Sequence, residues 1–353
     1  MKKHITLVVG LDVSDKYTHI CVLDDAGEVV DRLRVPTREP LLRKWFARPQ
    51  VRVALEVGRH SPWMSRMLTE QGHEVIVANP RKVRLVFESD SKNDQMDAEH
   101  LARLARVDPA LLHPVKHRRS DTQAFLAIVR SRELLVDQRT AIINSVRGQS
   151  NAFGKSLPKV GSVRFHTVLD DVPEDLQAAL APLLVTVELL TRQILHYDNV
   201  IDDLCNEAYP ETELLRQVWG VGAITALSFV LIVEEPGRFP RSRDVGAYFG
   251  LRPRQDQSGD VDKHLRITKA GDAMMRRYLV QCAHRVLAVN APDTDLKRWG
   301  LKLLDRGGTT AKRRTVVAVA RKLAVLMHRL WVTAQVYEPL RNAKNTTNSE
   351  KAA

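Results

Sequence analysis

Short apolar runs separated by polar turns occupy the first eighty residues. The stretches "HITLVVGLD", "THICVLDD" and "EVVDRLRVPT" are rich in Val, Ile and Leu, and the turn-like sequences between them predict three short strands. Two further strands are predicted at "VRVALEV" and "HEVIVANP", and they alternate with helices at "EPLLRKWFA", "SPWMSRMLTEQG" and "NDQMDAEHLARLARVD". Three meandering strands followed by alternating helices and strands predict a mixed α/β sheet rather than a doubly wound Rossmann fold.

A longer, helical periodicity follows this segment. Apolar residues recur every seven positions at Ile128, Leu135 and Ile142, although Arg132 and Arg139 lie on the same face. A second helix has a sustained heptad pattern, so residues 116–208 predict an antiparallel coiled-coil hairpin. Its apolar side is expected to pack within the hairpin, against another subunit, or both. The heptad positions of the second helix are Leu176, Leu180, Leu183, Val187, Leu190, Ile194, Tyr197, Ile201 and Leu204.

The last third of the chain is predicted to be mostly helical, with short helices separated by glycines over residues 209–340. Within it, "VWGVGAITAL" has the form of a helix-hairpin-helix turn, in which glycines expose backbone N–H groups to a phosphate. Any tight turn between helices can use two glycines, so this pattern alone is weak. Residues 341–353, which include "NTTNSEKAA", have the polar composition of a disordered tail.

The positive charge of the chain is concentrated near its end. Of the formal net charge of +12, residues 236–345 carry +14, whereas residues 1–110 carry +2 and residues 111–235 carry −4. Such localisation favours a polyanionic partner, most simply nucleic acid. The three cysteines lie far apart without a CxxC pair, and no apolar run reaches the length of a membrane span, so we expect a cytosolic protein.

Four carboxylates lie at the ends of predicted strands or at the start of a predicted helix. Asp12 ends the first strand, Glu56 ends the fourth, and Asp94 and Asp97 share one face at the start of a helix. The element order matches the ribonuclease-H-like, or RuvC-like, nuclease fold over residues 1–115, where these positions converge on one edge. Converging carboxylates repel one another without a counter-ion, so Mg²⁺ or Mn²⁺ is expected there, suited to phosphodiester chemistry.

Each acid also has an ordinary structural interpretation. Asp94 is a reasonable helix N-cap, Asp97 a partner of the helix dipole, and Glu56 a surface charge at a strand end. Asp12 is harder to explain in this way, because the run "VVGLD" is apolar up to the acid. The combination in this fold order is more specific than any one member.

Several longer stretches resemble one known family. "GLDVSDKYTHICVLD", "ALEVGRHSPW", "VIVANPRKVR" and "SKNDQMDAEHLARL" resemble the N-terminal DEDD domain of IS110-type insertion-sequence transposases. "GVGAITALSFVLIVEEPGRF", "VGAYFGLRPRQDQSG", "LRITKAGDAMMRRYL" and "KRRTVVAVARKLAVLMHRLW" resemble the C-terminal domain of that family. The resemblance implies a DNA recombinase that acts as a tetramer and is guided by a bridge RNA from the element. The sequence has no P-loop motif, so no nucleotide cofactor is expected.

The resemblance also implies the site residues. The DEDD acids of the family fall on Asp12, Glu56, Asp94 and Asp97, and its nucleophile, in a Ser-Gly motif after "GLRPR", falls on Ser258. A serine hydroxyl needs activation, so the resemblance predicts a composite site that joins the two domains. Nearby and C-terminal cations are expected to contact nucleic-acid phosphates: Arg252, Arg254, Lys263, Arg266, Lys269, Arg276, Arg277, Lys312, Arg313 and Arg314.

This chain departs from the family pattern at three places. The segment after the second acid is "VGRHSPW", Asp15 stands where a lysine is common, and Gln257 replaces the serine before the nucleophile. None of these changes removes a predicted catalytic residue. Two other classes remain open: a RuvC-like junction resolvase or nuclease that uses metal-activated water, and a catalytically silent nucleic-acid-binding protein.

Overall fold

The computed structural model describes residues 7–80, 94–258 and 261–342, with the backbone alone at residues 94–95, 255–258 and 261–264. The chain divides into two compact units, Met1–Arg119 and Ser120–Ala353. The predicted coiled-coil hairpin and the predicted C-terminal domain therefore lie in one unit.

Unit 1 is a five-stranded mixed sheet with helices on both faces. Its strands are ordered β3-β2-β1-β4-β5, with β1, β2 and β3 antiparallel and with β4 and β5 parallel to β1. The order agrees with the predicted meander followed by helix–strand alternation. The elements are β1 (Val8–Val13), β2 (Tyr17–Leu23), β3 (Val29–Pro36), α1 (Glu39–Trp45), β4 (Arg52–Glu56), α2 (Ser61–Glu70), β5 (Glu74–Ala78) and α3 (Asp94–Val107).

Alternation along the strands divides the core of unit 1 into two layers. Val9, Leu11 and Leu55 face one layer together with buried residues of α1 and α2. Val8 and Ala54 face the other layer, which α3 covers with a stripe of small and apolar side chains. Side chains two residues apart point to the same face of a strand. The layer that one strand residue faces therefore shows on which face of the sheet the residue two positions further along projects.

Unit 2 contains two long helices, a set of shorter ones and a two-stranded hairpin. The elements are α4 (Ser120–Ala152), α5 (Glu174–Glu207), α6 (Thr212–Arg216), α7 (Ala223–Val233), α8 (Arg243–Tyr248), β6 (Pro253–Ser258), β7 (Val261–Ile267), α9 (Ala273–Val286), α10 (Asp295–Leu304) and α11 (Ala311–Thr333). Helix α7 is buried along most of its length, and α4, α5, α9 and α11 all contribute to the core around it. The structure adds a β-hairpin, β6 and β7, to the mostly helical C-terminal domain that the sequence predicts.

Helices α4 and α5 pack against each other along most of their length. Of the predicted heptad positions, Leu180, Val187, Ile194 and Ile201 are buried. The predicted heptad positions that alternate with these four are only half-buried. Leu184, Thr191 and Cys205, each one residue after a predicted position, face the interior instead. A helix has 3.6 residues per turn, so a strict seven-residue repeat drifts relative to a straight partner.

The arginines that interrupt the apolar stripe of α4 bond across to α5. Arg139 is buried and its Nη1 donates to the Thr191 hydroxyl over 3.1 Å. Arg132 Nε lies 2.6 Å from a carboxylate oxygen of Asp198. Both arginines therefore form polar contacts between the two helices. These contacts offset the free-energy cost of burying a charged group at these positions.

One helix of the described residues, α5, is long and apolar enough to cross a membrane by length and composition. The core helix of a packed hairpin passes the same test, and the side of α5 that carries Leu180 and Val187 is buried in a cluster with Ile143 and Val146 of α4. The apolar character of α5 is therefore explained in part by its packing on α4.

Candidate active site

Asp12 and Glu56 lie next to each other at the end of two parallel strands. The register of β1 and β4 pairs Gly10 with Ala54 and Leu11 with Leu55, and the two acids follow directly after the last pair. Both acids stand two residues beyond a position that faces α3, so both project on the α3 side of the sheet. Asp12 is half-buried and Glu56 is exposed.

Helix α3 crosses this face in the direction opposite to β1. Near the start of the strands, Arg52 Nη1 donates to the Ala105 carbonyl over 3.1 Å. Further along, a Cβ built on Gly10 would lie 1.9 Å from the Ala98 carbonyl oxygen and 2.7 Å from the Ala102 nitrogen. The N-terminal end of α3 is therefore directed to the end of β1 that carries Asp12.

Gly10 makes this approach possible. Any side chain at this position would collide with the backbone of α3, so the helix would have to move away from the sheet. The glycine two residues before Asp12 therefore has a steric explanation, which the sequence pattern "VVGLD" did not reveal.

The start of α3 supplies the second pair of acids. Asp94 is the first residue of the helix, and Asp97, which is half-buried, precedes Ala98 of the contact with Gly10. A helix N-terminus carries partial positive charge, which favours carboxylates nearby. We call the four acids Asp12, Glu56, Asp94 and Asp97 the carboxylate edge.

All four residues of the carboxylate edge offer oxygen ligands, the donor type that Mg²⁺ and Mn²⁺ prefer. Among the side chains that the structure describes, Asp12, Glu56 and Asp97 do not by themselves form a group of three metal-binding residues. The side chain of Asp94 lies outside the described part. The donor chemistry fits a hard divalent cation, with Asp12 and Glu56 as the adjacent pair.

Two neighbouring acids have other partners. Glu99 forms ion pairs with Arg32 and, over 2.7 Å, with Arg103. Burial alone would raise the pKa of Glu99, but the hydrogen bonds from the two guanidinium groups hold it below its usual range. Asp15 accepts a hydrogen bond from His60 and pairs with Arg59, and these contacts lower its pKa. Glu99 and Asp15 are therefore ion-paired residues beside the carboxylate edge.

Ser258 is the last residue of β6 in unit 2. It stands opposite Val261 in the antiparallel ladder, and the connection between the strands, residues 259–260, lies outside the described residues. The hairpin of β6 and β7, residues 253–267, is called the serine hairpin below.

The base of the serine hairpin is held by close backbone contacts. Gly250 and Gly271 both adopt positive φ, and a Cβ on either would lie within 2.2 Å of a carbonyl oxygen on the other side. Lys269 N donates to the Gly250 carbonyl over 3.1 Å. These contacts explain the glycines of "FGLRPR" and "TKAGD", because only glycine tolerates both the backbone angle and the approach.

Arg276 also secures this base. Its Nη1 donates to the carbonyls of Phe249 and Ala270 over 3.1 and 2.9 Å, one on each side of the hairpin base. The half-buried side chain of Arg276 therefore contacts the hairpin base inside the fold. Its contribution to phosphate binding stays a prediction. Sequence inspection missed this role, although the two flanking glycine motifs were a usable signal.

Arg277 participates in a network between α9 and the hairpin helix α4. Its guanidinium pairs with Glu133 over 2.9 Å and with Asp137 over 3.0 Å. The Tyr278 hydroxyl donates to the other oxygen of Glu133 over 2.5 Å. Burial, together with the hydrogen bond to Glu133, raises the pKa of Tyr278 far above its ordinary value. The network ties the long helices to the helix that follows the serine hairpin.

The other predicted phosphate ligands lie on the surface of unit 2. Arg252, Arg254, Arg266 and Lys269 are exposed along the serine hairpin and at its base, and Lys263 belongs to β7, with its side chain outside the described part. The exposed residues Lys312, Arg313 and Arg314 occupy the first turn of α11. Cations at a helix N-terminus oppose the helix dipole, so helix stability does not explain them.

Two family models match the chain. The first, for the DEDD transposase domain of the IS110 type, is described as "Transposase" and covers residues 9–150; the second, "Transposase IS116/IS110/IS902 family", covers residues 212–298. The transposase of insertion sequence IS1328 from Yersinia enterocolitica is 33% identical over 289 residues, which are 79% of this chain and 83% of the relative. The chain belongs to the IS110/IS116/IS902 family of transposases.

Other relatives extend the match over nearly the whole chain. The transposase of IS1111A from Coxiella burnetii is 29% identical over 94% of this chain and 91% of its own length. A probable family 20 transposase from Pseudomonas aeruginosa is 28% identical over 94% of this chain and 98% of its own length. The resemblance read from the motifs is confirmed, and the chain is an insertion-sequence transposase whose partner is DNA.

Proposed function

We propose that this transposase cuts and rejoins DNA through a covalent phosphoserine intermediate, with Ser258 as the nucleophile and the carboxylate edge as the metal-binding group. The observation that carries the proposal is the alignment of Asp12 and Glu56 at the ends of β1 and β4, with the N-terminus of α3 directed to them. Acids gathered on one edge of a sheet suit phosphodiester chemistry better than structural stabilisation.

We also assign unit 1 to the ribonuclease-H-like, or RuvC-like, fold. The strand order β3-β2-β1-β4-β5, with an antiparallel meander followed by two strands parallel to β1, supports this assignment. The proposed division of the chain is a RuvC-like domain over 1–115, a coiled-coil hairpin over 116–208, a C-terminal domain over 209–340 and a tail over 341–353.

In the proposed reaction the Ser258 hydroxyl oxygen bonds to phosphorus while the bond from phosphorus to the leaving deoxyribose oxygen breaks. The serine proton passes to a base, and the leaving oxygen gains a proton. Attack by a hydroxyl of another strand reverses these steps and joins that strand without ATP. Mg²⁺ or Mn²⁺, bound by Asp12, Glu56, Asp94 and Asp97, would stabilise the negative charge on the phosphate.

Cations near the serine hairpin support a role for this region in binding phosphate. Arg252, Arg254 and Arg266 are exposed on or beside the strands that lead to Ser258. Guanidinium groups bind phosphate oxygens in a bidentate manner and stabilise charge that develops in the transition state. Because the acids and Ser258 belong to different units, the proposal requires a composite site, within one subunit or between two.

We further propose guidance by a bridge RNA and assembly into a tetramer in the cytosol. No zinc-finger pattern occurs in the sequence and aromatic residues make up only 5%, which suits specificity that comes from base pairing. Helices α4 and α5 expose Leu134, Val185 and Leu189, and this apolar surface would suit packing against a second copy.

The test is a trapping experiment with purified protein, DNA carrying the element junction, and its RNA. We expect a protein–DNA adduct that survives denaturation and digestion of free DNA, and that is lost in Ser258→Ala. Ser156→Ala is a matched control, because Ser156 is an exposed serine that bonds only to Asn151 among the described residues.

The competing function is a RuvC-like nuclease that uses activated water. The confinement of Asp12, Glu56, Asp94 and Asp97 to one compact unit favours it, because such a nuclease needs no residue from unit 2. Free cleaved ends produced by Ser258→Ala at the wild-type rate, together with their loss in Asp12→Asn, would support the nuclease and exclude the serine mechanism.

A further inference from the structure

The row of residues that carries Asp12 continues across the sheet of unit 1. Asp12 pairs with His19 across β1 and β2, and His19 pairs with Arg34 across β2 and β3. Paired residues of adjacent strands lie on the same face, and each strand spacing is about 4.8 Å, so the Arg34 position is about 10 Å from Asp12. Glu56 lies beside Asp12 on the other side, at the end of β4. The row therefore has two acids at one end and a cation at the other.

The guanidinium of Arg34 is held on an aromatic ring at the same end of the sheet as the acids. Strand β2 begins with Tyr17 where β1 ends, and β3 ends with Pro36 opposite Tyr17. The Arg34 Cζ lies 4.8 Å from the centre of the Tyr17 ring, and both residues are exposed. A guanidinium stacked on a ring keeps its plane, so its N–H groups are presented in a defined direction.

The backbone that carries this stack is fixed by hydrogen bonds at the ends of the strands. The Ser14 amide and hydroxyl both donate to the Tyr17 carbonyl, over 3.0 and 2.7 Å, which closes the turn between β1 and β2. The Thr37 amide donates to the Lys16 carbonyl over 3.0 Å, which extends the pairing of β2 and β3 beyond Pro36. The ring and the guanidinium are therefore both attached to ordered backbone.

Arg32 and Arg34 lie two residues apart on the same face of β3 but have different partners. The Arg32 guanidinium pairs with Glu99 of α3, which also pairs with Arg103. Arg34 forms no ion pair with any carboxylate in the described part of the chain. Arg32 therefore contributes to the packing of α3 on the sheet, whereas the counter-charge of Arg34 comes from solvent or from a ligand.

Two structural roles would account for a cation on β3. A charged residue on an edge strand hinders pairing with another sheet, and a cation on an exposed aromatic ring stabilises the local fold slightly. Both roles can be fulfilled at any position along the strand. Neither explains why the stacked guanidinium of Arg34 lies in the row of Asp12, at the end of the sheet where the acids lie.

We propose that Arg34, held on Tyr17, binds a backbone phosphate of the DNA strand that is cut at the carboxylate edge and thereby positions that strand. The N–H groups of a guanidinium match two oxygens of one phosphate. The distance of about 10 Å to Asp12 and a rise of about 3.4 Å per nucleotide place this phosphate within about three nucleotides of the cut. The proposal rests on the proposed role of the carboxylate edge in cleavage and does not depend on Ser258.

The test replaces single phosphates of junction DNA by neutral methylphosphonates and measures the affinity of the full-length protein by fluorescence anisotropy. The cut is mapped on the same DNA by denaturing electrophoresis. For the wild type, replacement of one phosphate near the cut should weaken binding roughly eightfold at about 0.1 M salt, since one contact contributes about 0.9 to the slope of log affinity against log salt. Arg34→Gln should bind unmodified DNA roughly eightfold more weakly and should not respond to replacement of that phosphate.

Three further variants separate this contact from a general loss of charge or stability. Arg43→Gln removes an equal charge from unit 1 but should leave the affinity unchanged, because Arg43 pairs with Glu39 over 2.9 Å and with Glu70 over 3.1 Å. Arg34→Lys keeps the charge and should restore most of the salt slope. Tyr17→Leu removes the ring, so it should keep the salt slope and weaken binding several-fold. The thermal midpoint of each variant checks that it is folded.

The position of the phosphate that depends on Arg34 decides the result. A phosphate within about three nucleotides of the cut supports the proposal. An identical methylphosphonate profile in wild type and Arg34→Gln would overturn it, as would a dependent phosphate farther from the cut, or a loss of affinity confined to the element's RNA. If Asp12→Asn still cuts the DNA while the dependence persists, the chemistry at the carboxylate edge fails and the Arg34 contact stands. Lost cutting in Asp12→Asn without any dependence overturns only the Arg34 contact.

Discussion

The carboxylate edge and the serine hairpin are held in place in two different ways. Two acids of the edge, Asp12 and Glu56, lie at the ends of the buried strands β1 and β4, and the other two lie at the start of α3, whose backbone closely approaches Gly10. The serine hairpin extends from a base that Gly250, Gly271 and Arg276 hold through local contacts. The acids are therefore positioned by the core of unit 1, whereas Ser258 depends on the anchoring of one hairpin.

The two regions also differ in charge. The edge carries acids, and the neighbouring acids that do not belong to it, Glu99 and Asp15, are paired with arginine or histidine. The hairpin carries exposed cations, and on the following helix Arg276 bonds to backbone carbonyls and Arg277 to carboxylates. In both regions the contacts of these neighbouring charged groups are structural.

The largest expected effect tests the edge directly. Asp12→Asn keeps the size of the side chain but removes a carboxylate oxygen charge, so we expect DNA cleavage to fall by about 10³-fold. Asp15→Asn, three residues further along, removes an acid that is exposed and already paired with His60, and it should change the rate by less than about threefold. The rate of DNA cleavage is measured for both variants at saturating DNA. Equal rates in the two variants would contradict the assignment of Asp12.

The next effect tests the packing that positions the edge. Gly10→Ala places a Cβ against the backbone of α3, so we expect it to destabilise unit 1 by about 3 kcal/mol, the upper end of the cost of overpacking. Gly58→Ala is the control, because the nearest atom to its added Cβ is 4.0 Å away, and it should change stability by less than about 0.5 kcal/mol. Chemical denaturation provides the measurement, and wild-type stability of Gly10→Ala would show that α3 does not lie so close to β1.

The smallest effect tests the link between the long helices and α9 in unit 2. Tyr278→Phe removes the buried hydroxyl that donates to Glu133, so we expect a loss of about 2 kcal/mol in the free energy of unfolding. Tyr197→Phe in α5, where the hydroxyl forms no hydrogen bond within the described residues, should cost less than about 0.5 kcal/mol. If both substitutions cost the same, the contact with Glu133 does not stabilise the folded unit.

The order of elements in unit 1 was predictable because each strand and helix carries its own local signal. Short runs rich in Val, Ile and Leu between turn-like segments predicted all five strands, and the position of Asp12 after "VVGL" indicated an acid at a strand end. The coiled-coil stripe was only partly right. Leu184 and Thr191 replaced their neighbours in the interior because the register between two helices depends on both of them.

Other features had no local signal. The β-hairpin around Ser258 lies in a polar segment, "PRQDQSGDVDKH", where no apolar alternation predicts strands. Arg276 and Arg277 look like equivalent surface cations in the sequence, yet one bonds to carbonyls at the hairpin base and the other to acids of α4.

The amino-acid sequence by itself determined which elements form in unit 1, which residue types end its strands, and where positive charge is concentrated, because these depend on neighbours within a few positions. The tertiary structure decided which charged and polar groups contact one another inside the fold. That outcome depends on contacts between residues far apart in the chain, such as Gly10 with Ala98 or Tyr278 with Glu133, whose geometry exists only in the folded protein.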